Sequence, residues 1–229
     1  MNYPPEIEAD WNQYNELRES GLKKQANRAL LNIVKKIENI GPEKFKGFLF
    51  SLCEDGLGKN HSRKIQYPIF VKCILPLLLR GFELRSAKEL VYLAKANQSG
   101  FGKEVYKAIG DVCNRDLLKE ALLVDPENIV AKNMLAADYI EELYFGAHHL
   151  PDTLITDLKT ANSTIKESAE FLLKNGNCIE DQLIEGHKYY SRLYKDYEEW
   201  FSGNYTYGFC KWCEENNRKY GWVKSYYYK

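Results

Sequence analysis

Apolar positions recur along this chain at helical spacing. Leu22, Ala26, Ala29, Ile33 and Ile37 fall on one stripe, and Leu154, Leu158, Ala161, Ile165, Ala169 and Leu172 on another. A third series, Leu183, His187, Tyr190, Tyr194, Tyr197 and Phe201, steps by four and three. Such steps return a side chain to the same side of a 3.6-residue turn, so each stripe predicts an amphipathic helix with one buried side. No run of period-two alternation accompanies them, so no sheet is predicted.

Helix breakers fall between the stripes. Ser20-Gly21 separates the first two helices, and Ile40-Gly41-Pro42 ends the second and opens a third with Pro in its first turn. Glu54 to His61 and Asn97 to Gly102 read as loops. Asp125-Pro126 reads as an N-cap followed by Pro at the first helical position. Leu150-Pro151-Asp152 and Lys174 to Asn177 mark further ends. The expected fold class is all-α, an αα-hairpin repeat or right-handed superhelix-like array of about ten or eleven helices with short connections. No long linker interrupts the chain, so a single domain over residues 1–229 is expected, with a repeat-like array over 1–176 and an aromatic-rich helical cap over 177–229.

The run from Leu118 through Ala121-Leu122 to Asp125-Pro126 resembles the junction between two tetratricopeptide repeats. In that family a helix ends in an Ala-Leu pair and a Pro-containing turn opens the next repeat. Leu135, Ala136 and Tyr139 are similar to the large-small-aromatic pattern of a repeat's first helix, and Gly21, Ala26 and Leu30 to its turn and second helix. Gly100 and Gly102 fall where a first helix should run, Trp11 is one position out of register, and no clean period of about 34 residues survives. The resemblance implies an αα-repeat fold with a protein-binding surface.

Composition narrows the function classes. Hydrophobic residues at 45% and charged residues at 28% exclude a disordered chain. Formal net charge is zero, so no global field draws in nucleic acid or lipid. The N-terminus lacks a basic start and an apolar run, so a cytoplasmic protein is expected. The most apolar stretch, Ile69 to Leu79, contains Lys72 and Pro76 and is too short to span a bilayer, so it reads as a buried core helix and no membrane partner is expected. The six cysteines are then reduced. Cys210-x-x-Cys213 permits a redox pair or half a zinc site, for which Cys178 and His187 are the remaining ligand candidates, but two structural thiols are the expected state, without cofactor or metal. Gly56 to Lys59 and Gly100 to Lys103 lack phosphate-loop spacing. No catalytic motif is found. Adjacent His148 and His149 are expected at a helix end, pointing to different sides, and His187 as a core histidine.

Two features bear on partners. Residues 59–107 hold ten Lys or Arg against three Glu, while residues 120–152 hold seven acids against Lys132 alone. Asp138, Glu141 and Glu142 then form a candidate acidic face for a basic partner. The last 44 residues carry 15 of the 31 Phe, Trp and Tyr, among them Tyr205, Tyr207, Trp222, Tyr226 and Tyr227 as candidate binding residues. Their charge balance of only +3 ranks protein binding above nucleic-acid binding. The expected function is a protein–protein interaction module, most concretely a bacterial immunity-type protein that covers the active site of a basic toxin domain. A repeat adaptor or chaperone, a zinc enzyme, and nucleic-acid binding through the basic segment are the alternatives.

Overall fold

The computed structural model describes residues 3–57 and 65–221, and every regular element among them is a helix. None is long and apolar enough to cross a membrane. The all-α expectation holds. The chain forms two compact units, Met1–Pro126 and Glu127–Lys229.

The first unit opens with α1 (Glu8–Glu19) and α2 (Lys23–Ile40), packed as a helical pair across a turn in which Gly21 adopts φ +74°. Only glycine takes that conformation without strain, which is why the expected break falls there. Pro42 opens a single 3-10 turn, Pro42–Phe45, that leads into α3 (Lys46–Gly56). The loop expected from Glu54 thus starts later, because α3 runs through Gly56; Gly58, Lys59 and His61 lie outside the described residues. The apolar stretch at Ile69 is buried as expected, but it is not one regular helix. α4 (Tyr67–Ile69) passes through a π-helical segment, Phe70–Ile74, into α5 (Leu75–Glu83). Pro76 has no N–H to give the carbonyl four residues back, and the wider turn accommodates it: the Leu75 N–H reaches Phe70 O instead. α6 (Ala87–Asn97) is buried on nearly all sides, Glu89 to Ala94 without a break, and packs on α5 and on α8 (Asn114–Val124). It is the central helix of this unit. α7 (Gly102–Ile109) connects the two.

The second unit is built on α9 (Ile129–Gly146), α10 (Leu158–Asn175) and α11 (Asp181–Ser202), each packed against the other two, with α12 (Phe209–Glu215) against α11. Asp125 is not the N-cap of α9. It follows the last turn of α8, and Pro126 lies in the connection. Asn128 is the cap, its Oδ1 accepting the Ala131 N–H at 3.0 Å. Asp157 caps α10 in the same way through Thr160 N, 2.9 Å away. On α10 the apolar stripe marks the inward side incompletely. Thr164 and Ser168 are buried beside Ala161, whereas Ala169 is exposed. Both hydroxyls donate back along the helix, Thr164 to Thr160 O at 3.2 Å and Ser168 to Thr164 O at 2.7 Å, so their burial leaves no donor unpaired.

Candidate functional site

α9 and α11 are held together by a hydrogen bond and, two turns away along α11, a close approach. The buried Tyr194 hydroxyl donates to Leu143 O at 3.0 Å, and Gly186 lies where a Cβ would sit 3.3 Å from Ile140. This contact sets two aromatic rows side by side. Tyr144 and His148 stand one turn apart at the end of α9, with ring centroids 5.4 Å apart. Tyr144 meets Tyr190 of α11 edge-on at 6.3 Å, Tyr190 meets Tyr189 at 5.0 Å, and Tyr189 meets Tyr220 at 5.6 Å. At the other end His148 lies 5.7 Å from His149. The six rings form a continuous ribbon. Tyr144 is 46% exposed, and Phe145 beside it is 60% exposed.

The histidines therefore share a side rather than diverging. They follow the end of α9, in a turn, where helical geometry no longer separates neighbours. His187 is half-buried, with Nε2 3.4 Å from Ile165 O, and burial depresses its pKa; a core histidine was the expected reading.

The far end of the ribbon is fastened by a buried carboxylate. Asp196 of α11 is 2% exposed. The Tyr220 hydroxyl donates to its Oδ2 at 2.5 Å, Arg218 Nε lies 3.0 Å from the same oxygen, and Arg192 Nε lies 3.9 Å away. Gly221 N–H donates to the Tyr189 hydroxyl at 3.1 Å. The segment after α12 is thus tied to α11 by charge-assisted contacts, the strong kind. Burial first, then the Asp196 carboxylate, raises the Tyr220 pKa, so the phenol remains the donor.

The residues singled out in the sequence take different places. Glu141 is exposed on α9, one turn before Tyr144 and Phe145. Glu142 is half-buried and accepts from Thr164 Oγ1 at 2.9 Å, and Asp138 is half-buried. Tyr205 and Tyr207 contact each other at 5.4 Å beyond the far end of α11, a separate patch from the ribbon. There Lys211 lies over the Tyr207 ring at 5.1 Å, and a hydrogen bond to Glu215 pushes the Tyr207 hydroxyl up to about 12. Trp222, Tyr226 and Tyr227 lie outside the described residues. The ribbon residues Tyr144, His148, Tyr189, Tyr190 and Tyr220 were not grouped from sequence. The spacing of Tyr144 and His148 and the Tyr189-Tyr190 pair were visible, but their meeting depends on the α9–α11 contact.

Among the described residues, several cations of the basic segment meet acids in the fold. Lys72 pairs with Glu38, Arg80 with Glu43, Lys88 with Glu54, and Arg85 with Glu120 of the acidic segment. Lys132 is buried and pairs with Glu127 at 3.1 Å. Cys178, His187, Cys210 and Cys213 do not converge: among the described residues no group of three or more His, Cys, Asp or Glu is placed to hold a metal. Cys213 is buried, which pushes its thiol up to about 11 and leaves it protonated at neutral pH. Cys53 and Cys73 are likewise raised to about 12 by burial. The chain matches no family model, no curated protein sequence and no solved structure.

Proposed function

We propose that this protein binds another protein through the ribbon from His149 to Tyr220, with Tyr144, Phe145 and Glu141 at its exposed edge. The observation that carries the reading is the continuity of six rings across two helices and a tethered segment. Tyrosine offers a large amphipathic contact area with little side-chain entropy to lose, and aromatic residues supply much of the energy of protein interfaces. The ribbon is also held in place before any partner arrives, by Asp196 and by the Tyr194 hydrogen bond, which lowers the ordering cost of binding. In its most concrete form the reading is a cytoplasmic immunity-type protein that covers a basic toxin domain, with Glu141 as the acidic rim residue.

Affinity capture from the native host, on immobilised chain, tests this. The wild type retains a partner that the Tyr144→Ser/Phe145→Ser double variant retains at least about tenfold less well, since both side chains are exposed and their loss leaves the core intact. Glu141→Lys weakens capture further if the partner is basic. Equal recovery of the same partner by the double variant overturns the reading.

A further inference from the structure

The first unit carries a surface of the opposite sign to the Glu141 edge, and the ribbon does not use it. Lys24, Arg28, Leu31 and Lys35 of α2 follow one another at steps of four, three and four, so they stand in one row along the helix. All four are exposed, Leu31 to 45%. Arg28, Leu31 and Lys35 border a shallow groove of about 310 Å³, with the buried Val34 in its lining and Lys72 of the π-helical segment on its other side.

The cations of this row are unmatched. Elsewhere in the unit exposed cations meet acids: Lys36, also on α2, pairs with Asp10, Lys44 with Glu6 and Arg80 with Glu43. Among the described residues no carboxylate lies within ion-pair distance of Lys24, Arg28 or Lys35. Glu38 is the acid in the groove lining, and Lys72, 3.4 Å away, already engages it. Lys24 and Lys35 are about 16 Å apart at the helical rise, so the row suits a chain of anionic groups rather than one small anion.

The apolar member selects among polyanions. Nucleic-acid strands gain affinity by stacking bases on aromatic rings, and the described groove lining has none. A helix that lies on a membrane needs a broad apolar face turned to the lipid, whereas α2 buries Ala26, Leu30, Ile33 and Ile37 in the core. An acidic helix with an aliphatic side chain among its carboxylates matches both the cations and Leu31.

We propose that this face of α2 docks an acidic amphipathic helix of a partner protein. Its carboxylates meet Lys24, Arg28 and Lys35, and one aliphatic side chain enters the groove beside Leu31.

The test measures binding to the full chain by fluorescence anisotropy. The probe is a labelled Ala-Glu peptide about 15 residues long, long enough for an isolated helix to form, with one central Leu. Its Leu→Ser form, an oligothymidylate of equal charge, and vesicles of phosphatidylcholine and phosphatidylserine are the comparisons. The peptide binds saturably, and each comparison binds at least about tenfold more weakly. Arg28→Gln/Lys35→Gln, both exposed positions, weakens the peptide about tenfold. Lys103→Gln/Lys107→Gln, the same charge change on exposed positions of α7, leaves it unchanged. Absence of saturable binding at millimolar peptide overturns the proposal. So does equal or tighter binding of the oligonucleotide, the vesicles or the Leu→Ser peptide, and so does an equal effect of the two double variants.

Discussion

Each of the two units buries one carboxylate to the same degree. Glu89 in the first and Asp196 in the second are both 2% exposed. Glu89 sits in the middle of its unit. It pairs with Lys46 of α3 at 2.6 Å, accepts from Ser86, and lies against the Cα of Gly81 on α5. Its partners Lys46 and Ser86 stand at the start of α3 and just before α6, within the body of the unit. Asp196 is placed differently. Its partners Tyr220 and Arg218 belong to a segment that follows the last helix, and that segment completes the aromatic ribbon. One buried acid thus specifies a core, and the other fastens a surface. Burying a charge is costly unless it is paired and hydrogen-bonded, and both are.

The lysines around Glu89 extend the contrast. Lys46 and Lys88 lie over the Phe50 ring at 5.3 and 4.9 Å, and Lys88 and Lys95 over Tyr92 at 5.8 and 5.7 Å. The Tyr92 hydroxyl donates to Glu54 at 2.8 Å. Around Glu89, these three lysines and the rings of Phe50 and Tyr92 engage one another. Along the ribbon of the second unit, ring meets ring and edges remain exposed. That difference is the reason the binding surface is assigned to the second unit although the first carries the more basic sequence.

The comparison breaks most directly at Gly81. A Cβ there would overlap the Cβ and Cγ of Glu89, which is pinned by two polar partners and cannot swing away. Overpacking costs about 1–3 kcal/mol, and the helix-propensity gain of Gly→Ala returns up to about 1 kcal/mol. Gly81→Ala is therefore expected to lose about 2 kcal/mol in chemical denaturation, without any effect on partner capture. A variant as stable as wild type would show that Glu89 is not fixed as described. Asp196→Asn is expected to cost less globally, about 1–2 kcal/mol, because Arg218 remains partly open to water. Its effect is local instead: amide exchange of residues 218–221 rises about tenfold or more, and capture falls with it. Unchanged exchange there would detach the ribbon's far end from Asp196.

Much of the helical framework was legible in the sequence, because breakers such as Gly21, Pro42 and Asn97 act locally on the backbone. The errors have the same locality. Asp125 looked like a cap, but Asn128 took the role once Pro126 was placed in the connection. The apolar stripe passed over Thr164 and Ser168, which are buried because their hydroxyls bond to the preceding turn. The candidate site was only partly legible. Glu141 and the aromatic density were visible, whereas the ribbon depends on Leu143 meeting Tyr194 and on Asp196 meeting Tyr220, pairs 51 and 24 residues apart. The compensation of the basic segment was hidden for the same reason, since Glu38, Glu43 and Glu120 reach it only through packing.

The mildest test separates the units by acid. Burial lowers the His187 pKa below the ordinary 6.5, opposed by the Ile165 carbonyl. The unfolded chain then binds the proton more readily, so this contribution to stability is complete above about pH 6.5 and is lost as pH falls through the lower folded value. Glu89 responds in a lower window. Burial raises its pKa, but the bonds from Lys46 and Ser86 outweigh it, and the net pKa lies below the ordinary 4.5. Its contribution is complete above that value and fades only below it. Acidification from pH 7 to 5 is therefore expected to loosen the second unit first, with a slope of at most about 1.4 kcal/mol per pH unit. Residue-level hydrogen exchange checks this, because it reads the two units separately. His187→Gln, whose amide can still meet Ile165 O and Ser191, should flatten the slope in the second unit and leave the first unchanged. An unaltered slope in that variant would place the acid-sensitive group elsewhere in the second unit.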